Sequence, residues 1–194
     1  MRALYSFLLV FVLAACSGGE GSDVPVPRRE AYHRIAQYPA RYLRVDSVPL
    51  RLVANEEAVC DVDNKDDGTC WATIEYPRYK AKIYCTLTPV DESNVQRVIA
   101  NRMQRISLNA GDRTPDTEEI TNPDGFEGTL VETATVSATP LQFITVDTKE
   151  SKWVVSGAVY LEGITPSAKA DSIAPVVQTL RRDIEAILDS ISRP

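Results

Sequence analysis

The residues with the clearest chemistry are Leu13-Ala14-Ala15-Cys16, near the start of the chain. Arg2 gives a basic beginning, residues 7–15 are an unbroken apolar run, and two small residues precede the cysteine, which is the order of a signal peptide. The run is too short to stay in a bilayer as a helix, which takes about 20 apolar residues. We therefore predict a signal peptide over residues 1–15 and a lipidated Cys16 that carries fatty acyl chains such as palmitate. The alternative is an ordinary secretory signal with an incidental cysteine.

The segment after Cys16 has the composition of a tether. Ser17–Asp23 is rich in Gly and Ser, and Val24–Arg29 contains two prolines that stiffen it. We predict a lipidated N-terminus and flexible tether over residues 16–31 and one domain over residues 32–194. Ser17, and not an aspartate, follows the cysteine, which in lipoproteins permits transfer to the outer membrane. No compact acidic cluster of the kind that directs surface export follows it, so we expect the domain to face the periplasm.

The charge balance excludes two classes of partner. The chain has 21 basic and 27 acidic residues and a net charge of −6, and removal of Arg2 makes it more acidic. Nucleic acids and anionic membrane surfaces both require basic patches, so neither is expected as a partner. No later segment approaches eighteen apolar residues, so lipid is the expected attachment to the membrane.

The sequence around the other three cysteines predicts which of them form a disulfide. Cys60 and Cys70 flank an acidic segment, and export to an oxidising compartment favours a disulfide between them. Cys85 shares an alternating apolar face with Ile83 and Leu87, which predicts a buried, reduced thiol. The aspartates between Cys60 and Cys70 do not have the spacing of a calcium loop, so a solvated acidic loop is expected there.

Catalytic motifs are missing from the sequence. His33 is the one histidine and lies beside the tether, and neither a Gly-x-Ser-x-Gly nor a nucleotide-binding glycine loop occurs. The sequence therefore predicts that the protein is not an enzyme and needs no cofactor or metal.

Hydrophobic periodicity predicts an α+β fold. Strands are predicted over 42–45, 50–53, 72–76, 81–87, 129–137, 141–147 and 153–162, and helices over 91–108 and from about 171 to 191. Short connections favour antiparallel neighbours. We expect an antiparallel sheet of about six to seven strands with two main helices, one mid-chain and one C-terminal, packed on one of its faces. In the mid-chain helix, Met103 belongs to the predicted apolar stripe, whereas Arg97, Arg102 and Arg105 fall outside it.

The polar side of one predicted strand pair is the candidate surface for a partner. Lys82 and Tyr84 on one strand, and Thr73 and Glu75 on its neighbour, alternate with apolar residues and should point away from the core. Contact with another protein through this surface is one interpretation. The other is binding of a small ligand or an envelope polymer by exposed aromatic residues such as Tyr76, Tyr79 and Tyr84.

A series of short motifs carries a family resemblance. They are Pro27-Arg28, Tyr32-His33-Arg34-Ile35, Cys70-Trp71, Ile74-Glu75-Tyr76-Pro77, Lys80-Ala81-Lys82-Ile83, Thr139-Pro140-Leu141-Gln142-Phe143, Thr145-Val146-Asp147, Gly157-Ala158-Val159-Tyr160, Asp171-Ser172-Ile173-Ala174-Pro175 and Arg182-Asp183-Ile184. In their order and spacing, the chain resembles the gliding-motility lipoprotein family GldD; it departs from the family pattern where Arg29-Glu30-Ala31 intervenes after Pro-Arg. The resemblance implies an outer-membrane-associated lipoprotein that supports other lipoproteins of a gliding-motility and Type IX secretion machinery. It implies no catalytic residues.

Overall fold

The computed structural model describes residues 35–112, 114–133, 137–164 and 170–194. The predicted signal peptide, Cys16, the tether and His33 lie outside these ranges. The strands are β1 (Tyr42–Arg44), β2 (Val53–Asn55), β3 (Val59–Asn64), β4 (Cys70–Tyr76), β5 (Ala81–Pro89), β6 (Asp116–Thr121), β7 (Phe126–Glu132), β8 (Leu141–Asp147) and β9 (Trp153–Leu161), and the helices are α1 (Val95–Ala110) and α2 (Ala170–Ser190). A short 3-10 turn, Pro77–Tyr79, joins β4 to β5.

The main sheet has seven antiparallel strands in the order β3-β4-β5-β9-β8-β7-β6. Its central strands alternate as the sequence predicts, so that Ile74 of β4 lies opposite Ile83 of β5, which in turn lies opposite Val159 of β9. All three side chains are fully buried on one face of the sheet, here called the core face. The predicted α+β class with a mid-chain and a C-terminal helix is confirmed.

Helix α2 covers the core face. Its apolar side chains recur every three or four residues and form one buried stripe of Val176, Leu180, Ile184, Ile187 and Leu188, which Ile191 extends just after the helix ends. Each fully buried side chain of this kind contributes roughly 1.5–3 kcal/mol to folding relative to an exposed one.

Helix α1 packs on the opposite face, so the prediction that both helices lie on one face is wrong. There, Ile106 packs in a second cluster with Val131, Ile144 and Val154 of strands β7, β8 and β9. Ile144 and Val154 occupy positions that alternate with core-face residues such as Phe143 and Val155. These strands are therefore apolar on both sides, which requires a second covering layer.

The inward stripe of α1 also differs from the predicted one. Met103 is exposed, whereas Arg102 is half-buried and donates to the Thr88 hydroxyl on β5 at 3.3 Å. Gly111 ends the helix with a φ of +63°, as expected of the residue that follows a helix. Arg102 thus faces the sheet, although its charge predicts a solvated position.

Residues 42–55 do not join the main sheet. Strands β1 and β2 form a separate antiparallel pair that is held to α2 by the carboxylate of Asp183. This buried group accepts hydrogen bonds from the Tyr42 hydroxyl at 2.8 Å, from Asn55 Nδ2 at 3.1 Å and from Arg182 Nη2 at 2.7 Å. The pair is therefore fixed by a buried, charge-assisted network and not by strand pairing to the main sheet.

Tyr38 fixes the chain just before β1. Its backbone N–H donates to the Tyr79 hydroxyl at 3.1 Å, and its carbonyl accepts from Arg182 at 3.1 Å. Its ring lies 4.8 Å from that of Tyr79 and 5.0 Å from that of Tyr76, and the guanidinium of Arg78 stacks on it at 4.0 Å. Tyr76 and Tyr79 are consequently buried, so the expectation that they are exposed aromatic residues is wrong.

The predicted disulfide between Cys60 and Cys70 is also wrong, because the segment expected to be a loop includes strand β3. Cys60 pairs with Ile74, whereas Cys70 lies opposite Asn64. The two cysteines are thus four residues apart along the strand pair, or about 13 Å, well beyond the reach of a disulfide. All three described cysteines are free thiols.

Cys85 is buried on the core face, as predicted. Burial, together with the neighbouring thiols of Cys60 and Cys70, raises its pKa to about 12. Since a raised pKa leaves the protonated thiol as the dominant form below that value, Cys85 is unreactive at neutral pH.

The thiol assignment can be tested by alkylation. We expect iodoacetamide at pH 8 to label Cys60 in the native protein and to label Cys70 and Cys85 only after denaturation, because the last two are buried. Mass spectrometry of the peptides measures each label. A peptide pair linked through Cys60 and Cys70 before reduction would contradict the observed strand register.

The Asp183 network makes a prediction about stability. Asp183→Ala leaves the Tyr42 hydroxyl and the Asn55 amide without their carboxylate partner, and should destabilise the protein by about 3 kcal/mol. The matched control, Asp189→Ala at an exposed position of the same helix, should change stability by less than about 0.5 kcal/mol. Chemical denaturation measures both. Equal effects would mean that the buried carboxylate contributes nothing beyond its place in the helix.

Candidate protein-contact face

Helix α1 covers only part of the sheet. It contacts β8 and β9. On the same side of the sheet, no other described element covers β3, β4 or the first half of β5. We call this uncovered area the open face. Its members include Val59, Asp61, Asp63, Trp71, Thr73, Glu75, Lys82, Tyr84 and Tyr160.

Large apolar side chains are concentrated on the open face. Val59 is 57% exposed, Trp71 50%, Tyr84 46% and Tyr160 41%. They account for half of the eight large exposed hydrophobic residues in the described part of the chain. Because contiguous exposed apolar surface on a monomer marks interaction sites, this concentration makes the open face the candidate functional site.

The four residues predicted as partner contacts lie together on this face. Thr73 is directly opposite Tyr84, and Glu75 is directly opposite Lys82 on the neighbouring strand. The next strand places Tyr160 opposite Lys82, diagonal to Tyr84 and within reach of its ring. The structure thus confirms their placement on one face; their contact with a partner stays a prediction.

The charged side chains of the open face make only weak, exposed contacts. Lys82 Nζ lies 3.7 Å from Glu75 and 4.0 Å from Glu162, and the ammonium of Lys65 lies 4.2 Å from the ring of Trp71. Exposed ion pairs of this kind contribute about 0–1 kcal/mol, so they can be exchanged for contacts with another molecule at little cost.

A groove lies where α1 meets the open face. Its volume is about 190 Å³, and Tyr84 belongs to both surfaces. We call it the arginine groove; the residues that line it include Arg102, Arg105, Tyr84, Thr86, Asn109 and Ser156. Partial burial and the nearby charge of Arg105 lower the pKa of Arg102.

Not every residue of the open face is identified in the sequence analysis. Trp71 and Tyr160 alternate with buried residues in the same way as Tyr84, so their positions could have been inferred from the strand pattern. Val59 could not, since the sequence predicts an acidic loop where most of β3 forms. Arg102 and Arg105 were interpreted as part of a solvated helix face, and only the crossing of α1 over β5 and β9 brings them to the groove.

Two further features are absent from the described residues. No group of three or more histidine, cysteine or acidic side chains is placed there to hold a metal ion. None of the described helices combines the length and the apolar character needed to cross a bilayer.

The fold and the open face define an α+β protein whose main surface feature is an exposed aromatic area. The sequence profile of the family described as gliding motility lipoprotein GldD matches residues 22–192. The chain therefore belongs to the GldD family of gliding motility lipoproteins. A comparison with curated proteins gave no match. Membership implies a role in gliding motility and attachment to a membrane through lipid.

The open face is expected to be dispensable for folding. Replacing both Lys82 and Tyr84 with serine should lower the free energy of unfolding by less than about 1 kcal/mol, since neither side chain is buried. Ile83→Ala, at the buried position between these two residues, should lower the free energy of unfolding by about 2–5 kcal/mol. Urea denaturation measures both variants. A comparable loss in the serine variant would show that this surface is part of the core.

Proposed function

We propose that this protein is a non-enzymatic component of a gliding-motility and Type IX secretion machinery, and that it acts through protein contacts made by the open face. The observation that carries the proposal is the coincidence of GldD membership with an uncovered aromatic sheet surface. Tyr and Trp are enriched among the residues that dominate binding energy at protein interfaces. The partners would be other lipoproteins of the same apparatus.

The proposal includes a site of attachment. A fatty-acylated Cys16 would hold the protein on the outer membrane, with the domain facing the periplasm. Each buried CH₂ contributes about 0.8 kcal/mol, so two or three acyl chains give stable anchoring. The chain following Cys16 would then set how far the open face can reach from the membrane.

Binding of a small ligand or envelope polymer is less well supported. Grooves on the described surface have volumes of about 280, 190 and 290 Å³. Typical small-molecule sites are about 300–1,000 Å³ and enclose most of the ligand. A broad, shallow aromatic surface favours a protein partner instead.

The attachment is tested by Cys16→Ser. The variant should lose its fatty acids and move from the membrane to the soluble fraction, because none of the described helices can span the bilayer. Intact-mass measurement of the wild-type protein should give a chain that begins at Cys16 and carries acyl groups. A Cys16→Ser protein that stays wholly in the membrane fraction would contradict lipid anchoring.

The contact surface is tested by photo-cross-linking in cells. A photoreactive phenylalanine analogue at Tyr84 should cross-link to a component of the gliding or secretion apparatus. The same analogue at Leu43, which is 61% exposed on the separate β1–β2 pair, should not. Equal cross-linking at both positions, or none at Tyr84, would overturn the proposed surface.

A matched pair of double variants links this surface to motility. Trp71→Ser/Tyr84→Ser removes apolar area from the open face, and Leu43→Ser/Leu108→Ser removes exposed apolar side chains elsewhere. Both should accumulate to the wild-type level, since exposed side chains contribute little to stability. Only the first should fail to restore colony spreading and secretion to a deletion strain. Restoration by both would exclude the open face from the function.

A further inference from the structure

The arginine groove holds positive charge that the described chain does not neutralise. Arg102 makes one hydrogen bond, to the Thr88 hydroxyl, and Arg105 makes none, and neither has an acidic group within 4 Å among the described residues. None of the residues that line the groove is acidic. This is unexpected in a chain with 27 acidic and 21 basic residues, in which the half-buried arginines of α2, Arg181 and Arg182, are both paired with carboxylates.

The two arginines are placed to act together. They stand one turn apart on α1, and both line the same groove. Their mutual repulsion and the partial burial of Arg102 disfavour two unpaired cations there, as the lowered pKa of Arg102 reflects. An anion in the groove would relieve both penalties at once.

The rest of the groove offers hydrogen bonds that suit an oxyanion. The hydroxyls of Tyr84, Thr86 and Ser156 have no hydrogen-bond partner among the described residues. A carboxylate has two oxygens and about four acceptor sites, so it can take donors from a planar guanidinium and from neighbouring hydroxyls together. The groove is thus chemically complementary to a carboxylate.

Continuity with the open face indicates the source of that carboxylate. Tyr84 belongs to both surfaces, so an extended segment can place an acidic side chain in the groove while its neighbours contact Trp71 and Tyr160. A free ion or a lipid headgroup would leave the aromatic surface unused. The volume of about 190 Å³ suits the end of a side chain and not a large ligand.

We propose that the arginine groove binds the carboxylates of an acidic segment in the protein that contacts the open face, an inference that rests on the proposed function. The arginines would supply charge and bidentate geometry, and so select an acidic segment over a neutral one. The aromatic side chains would supply apolar contact area.

Peptide binding tests the chemistry of the groove. The full-length lipidated protein in neutral detergent should raise the fluorescence anisotropy of fluorescein-labelled hexaglutamate at low salt. Arg102→Gln/Arg105→Gln should weaken this binding by about tenfold or more, since charge-assisted hydrogen bonds are lost. Arg51→Gln/Arg97→Gln removes the same charge from exposed positions outside the groove and should change binding by less than about twofold.

Three results of that experiment would overturn the inference. They are the absence of hexaglutamate binding, an equal loss in the two double variants, and displacement of the peptide by inorganic phosphate at equal charge concentration. The last result would indicate a general phosphate site, such as one for a lipid headgroup.

Cross-linking separates failure of this inference from failure of the proposed function. With the photoreactive residue at Tyr84, Arg102→Gln/Arg105→Gln should reduce the yield of the partner adduct. An undiminished yield would overturn the role of the arginines while leaving the open face as the contact surface. No adduct in the wild-type background would overturn the proposed function itself, and this inference with it.

Discussion

The pairing of β5 with β9 is the interaction on which the rest of the structure depends. Strands β3, β4 and β5 form one meander, and β6, β7, β8 and β9 form another, each built from consecutive neighbours. The two meet only where Ala81–Pro89 pairs with Trp153–Leu161 along its whole length. The core face is continuous across this junction, so α2 can cover both meanders with one apolar stripe. Without it, the sheet would divide into a three-stranded and a four-stranded meander, and the core face would be interrupted.

The junction also separates two kinds of surface. Strands β7, β8 and β9 of the second meander are apolar on both sides and lie between α1 and α2, whereas the first meander is covered on its core face alone. The open face and the arginine groove lie along this boundary. The aromatic area lies on the sheet and the unpaired positive charge lies on helix α1, which packs on that sheet, so regular elements and not loops fix their relative geometry.

The sequence predicted the central elements and missed the edges, for a physical reason. Strands buried on one face, such as β4 and β5, must alternate, so Tyr84 and Lys82 could be placed from sequence. The edge strands β3 and β6 are exposed on both sides and carry Asp61, Asp63, Glu118 and Glu119, so backbone pairing forms them without an apolar pattern. The wrong disulfide followed from that omission. The side of the sheet on which α1 packs, and hence the groove, depends on contacts between residues far apart in sequence that periodicity does not encode.

The anchorage of Tyr38 has a mechanical consequence. The predicted lipid attachment lies upstream of the described residues, so tension from the membrane would reach the described fold near Tyr38. Tyr38 is held there by Tyr79, by the guanidinium on its ring and by Arg182 of the last helix, and β2 is tied to the same helix through Asp183 and Ser190. A pulling force would therefore be distributed between the first described residues and the C-terminal helix. The load would pass through the rings of Tyr38 and Tyr79 and through the last helix, and none of these contacts uses an exposed side chain of the open face.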